Sequence, residues 1–185
     1  MDPVTLEIIR NKLTSIADEM ETVLLKAAFS PIVKEGLDAS SAIFDIKGQT
    51  IAQAAAIPLH LGCLIPAINK IVELWPPKQM EEGDMFILND PYSGGTHLPD
   101  IVLAMPVFHN NEPFAIVTTM CHHQEIGGMV PGSLPPNATE LFQEGLRIPP
   151  LQYMKKGKVI EPIKKFIEAN VRIPEIVLGD LNAQI

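Results

Sequence analysis

Met85-Phe86-Ile87-Leu88-Asn89-Asp90-Pro91-Tyr92-Ser93-Gly94-Gly95-Thr96-His97-Leu98-Pro99-Asp100-Ile101-Val102-Leu103-Ala104 is the stretch around which the chain is organised. Apolar runs enter and leave it, and between them stand carboxylates, an imidazole, prolines and a glycine pair. That pattern reads as a polar loop held at the ends of two strands, where chemistry is commonly placed on a rigid scaffold. Downstream, Cys121-His122-His123-Gln124-Glu125 follows another apolar run. Three of the five histidines lie in these two polar knots, which are expected to meet.

Working outward, Gly83-Asp84 turns the chain into the Met85–Leu88 strand. Residues 101–108 form a second strand and residues 113–120 a third, separated by the turn His109-Asn110-Asn111-Glu112. These adjacent strands are most simply antiparallel. On the N-terminal side, residues 41–46 and 50–54 read as a hairpin joined at Lys47-Gly48, and Ile57 to Gly62 as a tight connection. A short helix is expected from about Ile65 to Trp75, ended by Pro76-Pro77.

The N-terminus predicts a long helix. Asp2 is its cap and Pro3 suits the first helical position. Leu6, Ile9, Leu13, Ile16, Met20, Val23 and Ala27 recur at spacings of three and four, giving one apolar face, with Glu7, Arg10, Lys12, Asp18 and Glu21 opposite. After the central strands comes a glycine- and proline-rich loop from Gly127 to Pro136, a class of loop more often functional than idle. A helical turn within residues 139–145 and a hairpin around Gly157 follow. Residues 161–171 and 174–185 carry helical patterns, the last without a stop signal, as expected for a truncated domain or one part of a split protein. The fold class is α+β: a long N-terminal helix, a β-rich centre with antiparallel strands, and a helical tail, an incomplete portion of a larger domain.

The composition, 46% hydrophobic and 19% charged, is that of an ordinary globular chain. No apolar run approaches the roughly 20 residues needed to span a bilayer, and the start lacks the features of a signal peptide. The net charge of −8 and scattered Lys and Arg argue against nucleic-acid binding. Cys63 and Cys121 make no disulfide framework, as expected of reduced thiols in a cytoplasmic protein. The chain has neither a P-loop nor a GxGxxG motif, so no nucleotide site of its own is expected.

His97 and Asp100 offer an imidazole and a carboxylate on one loop, a donor pair suited to zinc, manganese or iron. A third ligand from His122 or His123 would complete a two-His-one-carboxylate set. If the preceding strand continues, these two point to opposite sides, leaving one for proton transfer or support. A hydrogen-bonded loop histidine is the plain alternative for His97. Asp90 is a further candidate ligand or base, in a segment that also reads as a turn opening. His60 is expected to be a structural donor, His109 a solvated turn residue and Cys121 a buried strand-end thiol.

The motifs together resemble a known family. Asp2-Pro3-Val4-Thr5, Ile43-Phe44-Asp45, Ile57-Pro58-Leu59-His60-Leu61-Gly62, Asn89-Asp90-Pro91-Tyr92 and Gly94 to Asp100 are similar, in order, to the hydantoinase B/oxoprolinase family. So are His122-His123, Gly127-Gly128, Pro131-Gly132-Ser133, Phe142 to Pro150 and Asn170-Val171-Arg172. One departure is Lys34-Glu35-Gly36-Leu37-Asp38, which lacks an arginine found after the equivalent Lys-Glu in many members.

The family comprises N-methylhydantoinase B subunits, the C-terminal part of 5-oxoprolinase, and alpha subunits of acetone and acetophenone carboxylases. The resemblance implies that residues 1–185 are the N-terminal part of such a domain. It implies a hydantoinase A-type partner that supplies ATP, and a second chain completing the B-type domain. The expected activity is ATP-dependent opening of a small cyclic amide of hydantoin or 5-oxoproline type. A ketone carboxylase subunit and a non-catalytic assembly piece are the alternatives. The resemblance places a divalent metal (manganese, zinc or iron) on His97, Asp100 and His122. His123, Glu125 and Asp90 are left as candidates for proton transfer or support.

Overall fold

The computed structural model describes residues 2–185. Helix α1 spans Pro3–Ala27 and starts as its cap predicts: the Asp2 carboxylate accepts the Thr5 N–H at 3.0 Å. Ser30-Pro31 ends it and opens a single further turn, α2 (Pro31–Lys34). The hairpin β1 (Ala39–Asp45) and β2 (Thr50–Gln53) follows. Asp45 Oδ1 accepts the N–H groups of Lys47 and Gln49, both at 2.8 Å, which closes its turn.

Helix α3 spans Pro58–Leu74, so the expected connection from Ile57 to Gly62 is in fact its opening. Pro58 costs nothing there, because the first helical N–H needs no partner. The buried stripe His60, Leu64, Ala67, Ile68 and Ile71 runs unbroken back to that first turn. The strands β3 (Met85–Leu88), β4 (Asp100–His109) and β5 (Glu112–His122) follow, then β6 (Leu151–Lys155), β7 (Lys158–Val159), α4 (Glu161–Asn170) and α5 (Pro174–Gln184).

The described residues form one seven-stranded sheet in the order β2-β1-β5-β4-β3-β6-β7, with every pair antiparallel. The architecture is the α+β arrangement expected from the sequence. Asn110 and Asn111, both at positive φ (51° and 64°), make the tight turn between β4 and β5. Asparagine tolerates that conformation better than most residues. His109 pairs with Glu112 and Phe108 with Pro113, but Val107 pairs with Ala115. Phe114 is therefore an extra residue, a β-bulge that shifts the remaining register by one. At the far end of this hairpin Asp100 stands opposite His122.

Side-chain alternation divides the sheet between two layers. Val102, Ala104, Ile116 and Met120 face α3, with Phe44, Phe86 and Leu88. Ile101 and Leu103 face α4 and α5, with Met85, Ile87 and Tyr153. Helix α1 covers Ile43, Ala115, Val107 and Val117, contacts α5, and thus shares the second layer.

The apolar face expected of α1 is rotated. Leu13, Ala17, Met20 and Leu24 meet the rest of the chain, whereas Leu6, Ile9, Ile16 and Val23 lie exposed. Two residues of the expected polar side are engaged instead: Asp18, still exposed, accepts the Ala55 N–H on Oδ1 at 3.3 Å, and Glu21 is partly buried. Small Ala17, fully buried, lets the helix lie close over the hairpin. The leftover apolar edge of α1 borders a groove of about 480 Å³. Met105, Val107 and Val117 line its floor, and Ile185 stands at its rim.

Two adjacent residues test this rotation. Leu24→Ala, at a position only 1% exposed, is expected to cost roughly 2–5 kcal/mol. Val23→Ala, at 58% exposure, is expected to stay within about 0.5 kcal/mol. Denaturant midpoints of the two variants check the order; equal losses would contradict the described face.

Candidate metal centre

The site grows from the end of the β4–β5 hairpin. Pairing of Asp100 with His122 brings one carboxylate and one imidazole side by side. His97 is added by a turn in which its carbonyl accepts the Asp100 N–H at 3.1 Å. Leu98, fully buried, anchors this turn. The Pro99 carbonyl accepts the His123 N–H at 2.8 Å, tying the turn to the strand end.

Behind the turn, Asn89 uses both ends of its buried amide. Its Nδ2 donates to the carbonyls of Leu98 (2.6 Å) and Leu146 (2.9 Å), and its Oδ1 accepts the Ile148 N–H at 2.6 Å. The glycine pair is explained by close approach to protein backbone. A Cβ on Gly94, whose φ is +102°, would lie 2.4 Å from the Ala67 nitrogen, and one on Gly95 would lie 2.7 Å from the Asn89 carbonyl oxygen. The loop is pressed against α3 and against its own root.

His97 Nε2 lies 2.9 Å and His122 Nδ1 3.3 Å from Asp100 Oδ1, and the two rings are 4.9 Å apart. The three donor atoms fall within 4.8 Å of one another. Asp100 Oδ1 nevertheless has no hydrogen-bond partner, because neither ring N–H is aligned on it. A buried carboxylate oxygen without a partner, faced by two imidazole nitrogens, is a donor set that fits a divalent cation.

Burial alone would raise the pKa of Asp100. The imidazoles of His122, His60 and His97, with the Thr96 hydroxyl, outweigh it and hold the carboxyl well below its usual range. The Asp100 carboxylate in turn raises the pKa of His97, against desolvation.

Two residues at the site were not singled out as site residues by sequence reasoning. His60, expected to be a structural donor, has Nδ1 3.1 Å from Ser40 Oγ. Its other nitrogen, however, lies 3.4 Å from Asp100 Oδ2 and 3.6 Å from Asp38 Oδ1. Asp38 also stands 3.9 Å from His122 Nδ1 and brings a second carboxylate to the pocket. Its carbonyl accepts the His122 N–H at 3.0 Å, continuing the β1–β5 ladder. Only that long-range pairing brings Asp38 here, so no local motif announces it.

The other candidates lie elsewhere. His123 points to the opposite face of the strand end, fully buried, with Nε2 3.0 Å from Gln184 Oε1. Desolvation lowers its pKa. Glu125 accepts from the Gly127 N–H (2.8 Å), the Arg172 N–H (2.6 Å) and Arg172 Nη1 (2.7 Å). Arg172 also donates to the Gly128 carbonyl at 2.6 Å, so the pair fixes the start of the glycine-rich loop. Asp90 caps the 3-10 turn at Pro91–Ser93 and binds Arg147 Nη2 at 2.9 Å. Cys121 is fully buried, and burial pushes its thiol pKa well up, away from nucleophile chemistry.

A family model described as Hydantoinase B/oxoprolinase matches residues 2–185. An uncharacterised protein of Methanocaldococcus jannaschii is 42% identical over 187 residues, covering 100% of this chain and 33% of that protein. A 5-oxoprolinase of Saccharomyces cerevisiae is 41% identical over 196 residues, covering 100% of this chain and 15% of its own length. Caprolactamase subunit beta of Pseudomonas jessenii is 38% identical over 186 residues, covering 100% of this chain and 32% of the subunit. The crystal structure of the ATP-dependent caprolactamase from Pseudomonas jessenii superposes with TM-score 0.88 at 34% identity, over 100% of this chain and 32% of that one. An acetone carboxylase in its nucleotide-free structure superposes with TM-score 0.90 at 21% identity, over 99% of this chain and 24% of that one, a likeness of fold. The chain thus spans about a third or less of the length of the relatives it matches.

Asn89→Ala strands three backbone groups, two of them buried, and is expected to cost about 3 kcal/mol. Amide exchange should quicken first around residues 97–98 and 146–148. A destabilised variant whose exchange rises evenly over the chain would contradict the anchoring role.

Proposed function

Because this chain belongs to the hydantoinase B/oxoprolinase family, we propose that it is the N-terminal part of a B-type subunit of an ATP-dependent cyclic amide hydrolase. Its substrate would be a lactam of hydantoin or 5-oxoproline type. The observation that carries this reading is the convergence of His97, Asp100 and His122 on one point, with Asp100 Oδ1 left without a partner. Relatives at 41% and 38% identity are named as a 5-oxoprolinase and a caprolactamase subunit, and both names denote action on a cyclic amide. The acetone carboxylase likeness, at 21% identity, supports the fold and adds no weight to carboxylation.

His97, Asp100 and His122 would hold a divalent metal, and their nitrogen and oxygen donors suit manganese, zinc or iron. Such an ion supplies Lewis-acid polarisation of the lactam carbonyl or a water of lowered pKa. The chain's own groups prepare the place for it. Asp100 and Asp38 make the pocket negative and so favour a cation. Asp90, with Arg147, keeps the preceding turn rigid, while Glu125 and Arg172 fix the glycine-rich loop. His123 anchors the strand end on α5. These three residues support the site from behind.

The nucleotide would come from a hydantoinase A-type partner, consistent with the ATP dependence of the caprolactamase and with the lack of a nucleotide motif here. Reduced Cys63 and Cys121 suit a cytoplasmic setting, and no described helix is long and apolar enough to cross a membrane. The exposed edge of α1 and its apolar groove support a role for the remaining part of the B-type subunit, which the matched relatives carry and which would cover this face.

Three outcomes are expected. With an A-type subunit and the rest of the B-type subunit supplied, the protein should open 5-oxoproline, hydantoin or caprolactam in an ATP-dependent reaction; activity only on ketones with bicarbonate would replace this reading by the carboxylase one. His97→Ala, Asp100→Ala and His122→Ala should each lower turnover about 100-fold or more and lose the metal detected by elemental analysis. Protons compete with the metal for His97, whose raised pKa extends that competition above the ordinary imidazole value of 6.5. Apparent metal affinity should therefore still climb above pH 6.5 in calorimetric titrations, and an affinity flat with pH would contradict imidazole ligation.

A further inference from the structure

Asp100 uses its two oxygens differently. Oδ1 faces His97 and His122 at 2.9 and 3.3 Å. Oδ2 takes a hydrogen bond from the Thr96 hydroxyl and lies 3.4 Å from His60 Nε2. His60 is only 3% exposed and comes from the first turn of α3, on the opposite layer from α4 and α5. We infer that His60 is a positioning residue: it holds Asp100 Oδ2 so that Oδ1 is presented to a divalent cation bound with His97 and His122. The inference rests on the reading of that triad as a metal site.

The hydrogen inventory of the imidazole supports this role. Its Nε2 faces two carboxylate oxygens, Asp100 Oδ2 at 3.4 Å and Asp38 Oδ1 at 3.6 Å. A lone pair aimed at two anions is repelled, so Nε2 carries the hydrogen. The other nitrogen, Nδ1, lies 3.1 Å from Ser40 Oγ. The Ser40 hydroxyl in turn donates to the Ala39 carbonyl at 2.8 Å. A relay from Ser40 on β1, through His60 on α3, to Asp100 on β4 thus locks the carboxylate from behind. Outer contacts of this kind fix ligand orientation and raise ligand basicity.

The geometry distinguishes two substitutions of similar size. His60→Gln keeps an N–H close to the position of Nε2, whereas His60→Asn keeps a polar group only near Nδ1, facing Ser40. Binding of Co²⁺ to the purified full chain is measured by calorimetry, and its visible absorption reports the coordination geometry. Relative to wild type, His60→Asn and His60→Ala are expected to bind about 10–100-fold more weakly, with an altered spectrum. His60→Gln is expected to stay within about threefold with the wild-type spectrum, and Ser40→Ala to fall between, as a partial loss of outer support. If His60→Ala does not fold, the comparison of Gln with Asn at this position decides. Equal affinities and spectra for those two variants overturn the positioning role while leaving the metal site intact. Failure of the wild-type chain to bind Co²⁺, Mn²⁺ or Zn²⁺ overturns the metal reading itself, and this inference with it.

Discussion

An ionised carboxylate, 2% exposed, sits at the centre of this structure, and among the described residues no lysine or arginine is paired with it. An isolated buried charge costs several kcal/mol, so Asp100 is tenable only because its neighbours compensate it. That compensation draws His97 from the loop, His122 from β5, His60 from α3 and Thr96 from the turn. One charge thereby couples the layer of α3 to the middle of the sheet. The placement of β1 next to β5 and of α3 across the sheet are both conditions of the same site.

The same economy governs the loops. A long segment between β5 and β6 has little secondary structure, yet its two ends are held by side chains that each make several hydrogen bonds. Arg172 and Glu125 bind one end, and Asn89 binds the other. Tyr92, 79% exposed, and Phe142, 75% exposed, stand out from this framework and present apolar rings to whatever adjoins it. The rigid backbone and the exposed aromatic groups together describe a platform: fixed beneath, open above.

Local signals in the sequence carried the element types well. Asp2-Pro3 marked the start of α1, Asn110-Asn111 fell in a turn, and alternating apolar residues gave the strands. The His97–Asp100 pair was legible because its spacing is short. Where one helix face touches another element was not legible. The Leu6–Val23 stripe of α1 has the expected period, but small Ala17 and the Asp18 contact to Ala55 decide which side lies down. The start of α3 was obscured by Gly62 and Pro66, both poor helix formers, and tertiary packing of Leu64 and Ile68 overrides them. Asp38 and His60 are distant from Asp100 in sequence and reach it only through non-local pairing and layer packing. Residue spacing holds no trace of either.

The bulge at Phe114 fixes more than a bend in a strand. Pairing near the turn, carried forward without it, would set Cys121 opposite Asp100 and turn His122 to the other face of the sheet. One supernumerary residue, remote from the pocket, therefore acts as a frame-shift in space: it determines whether imidazole nitrogen or thiol sulfur is offered beside the carboxylate. The donor that stands beside Asp100, and with it the hardness of the cation such a pocket would prefer, is encoded in the length of a hairpin as much as in the residues that line the pocket.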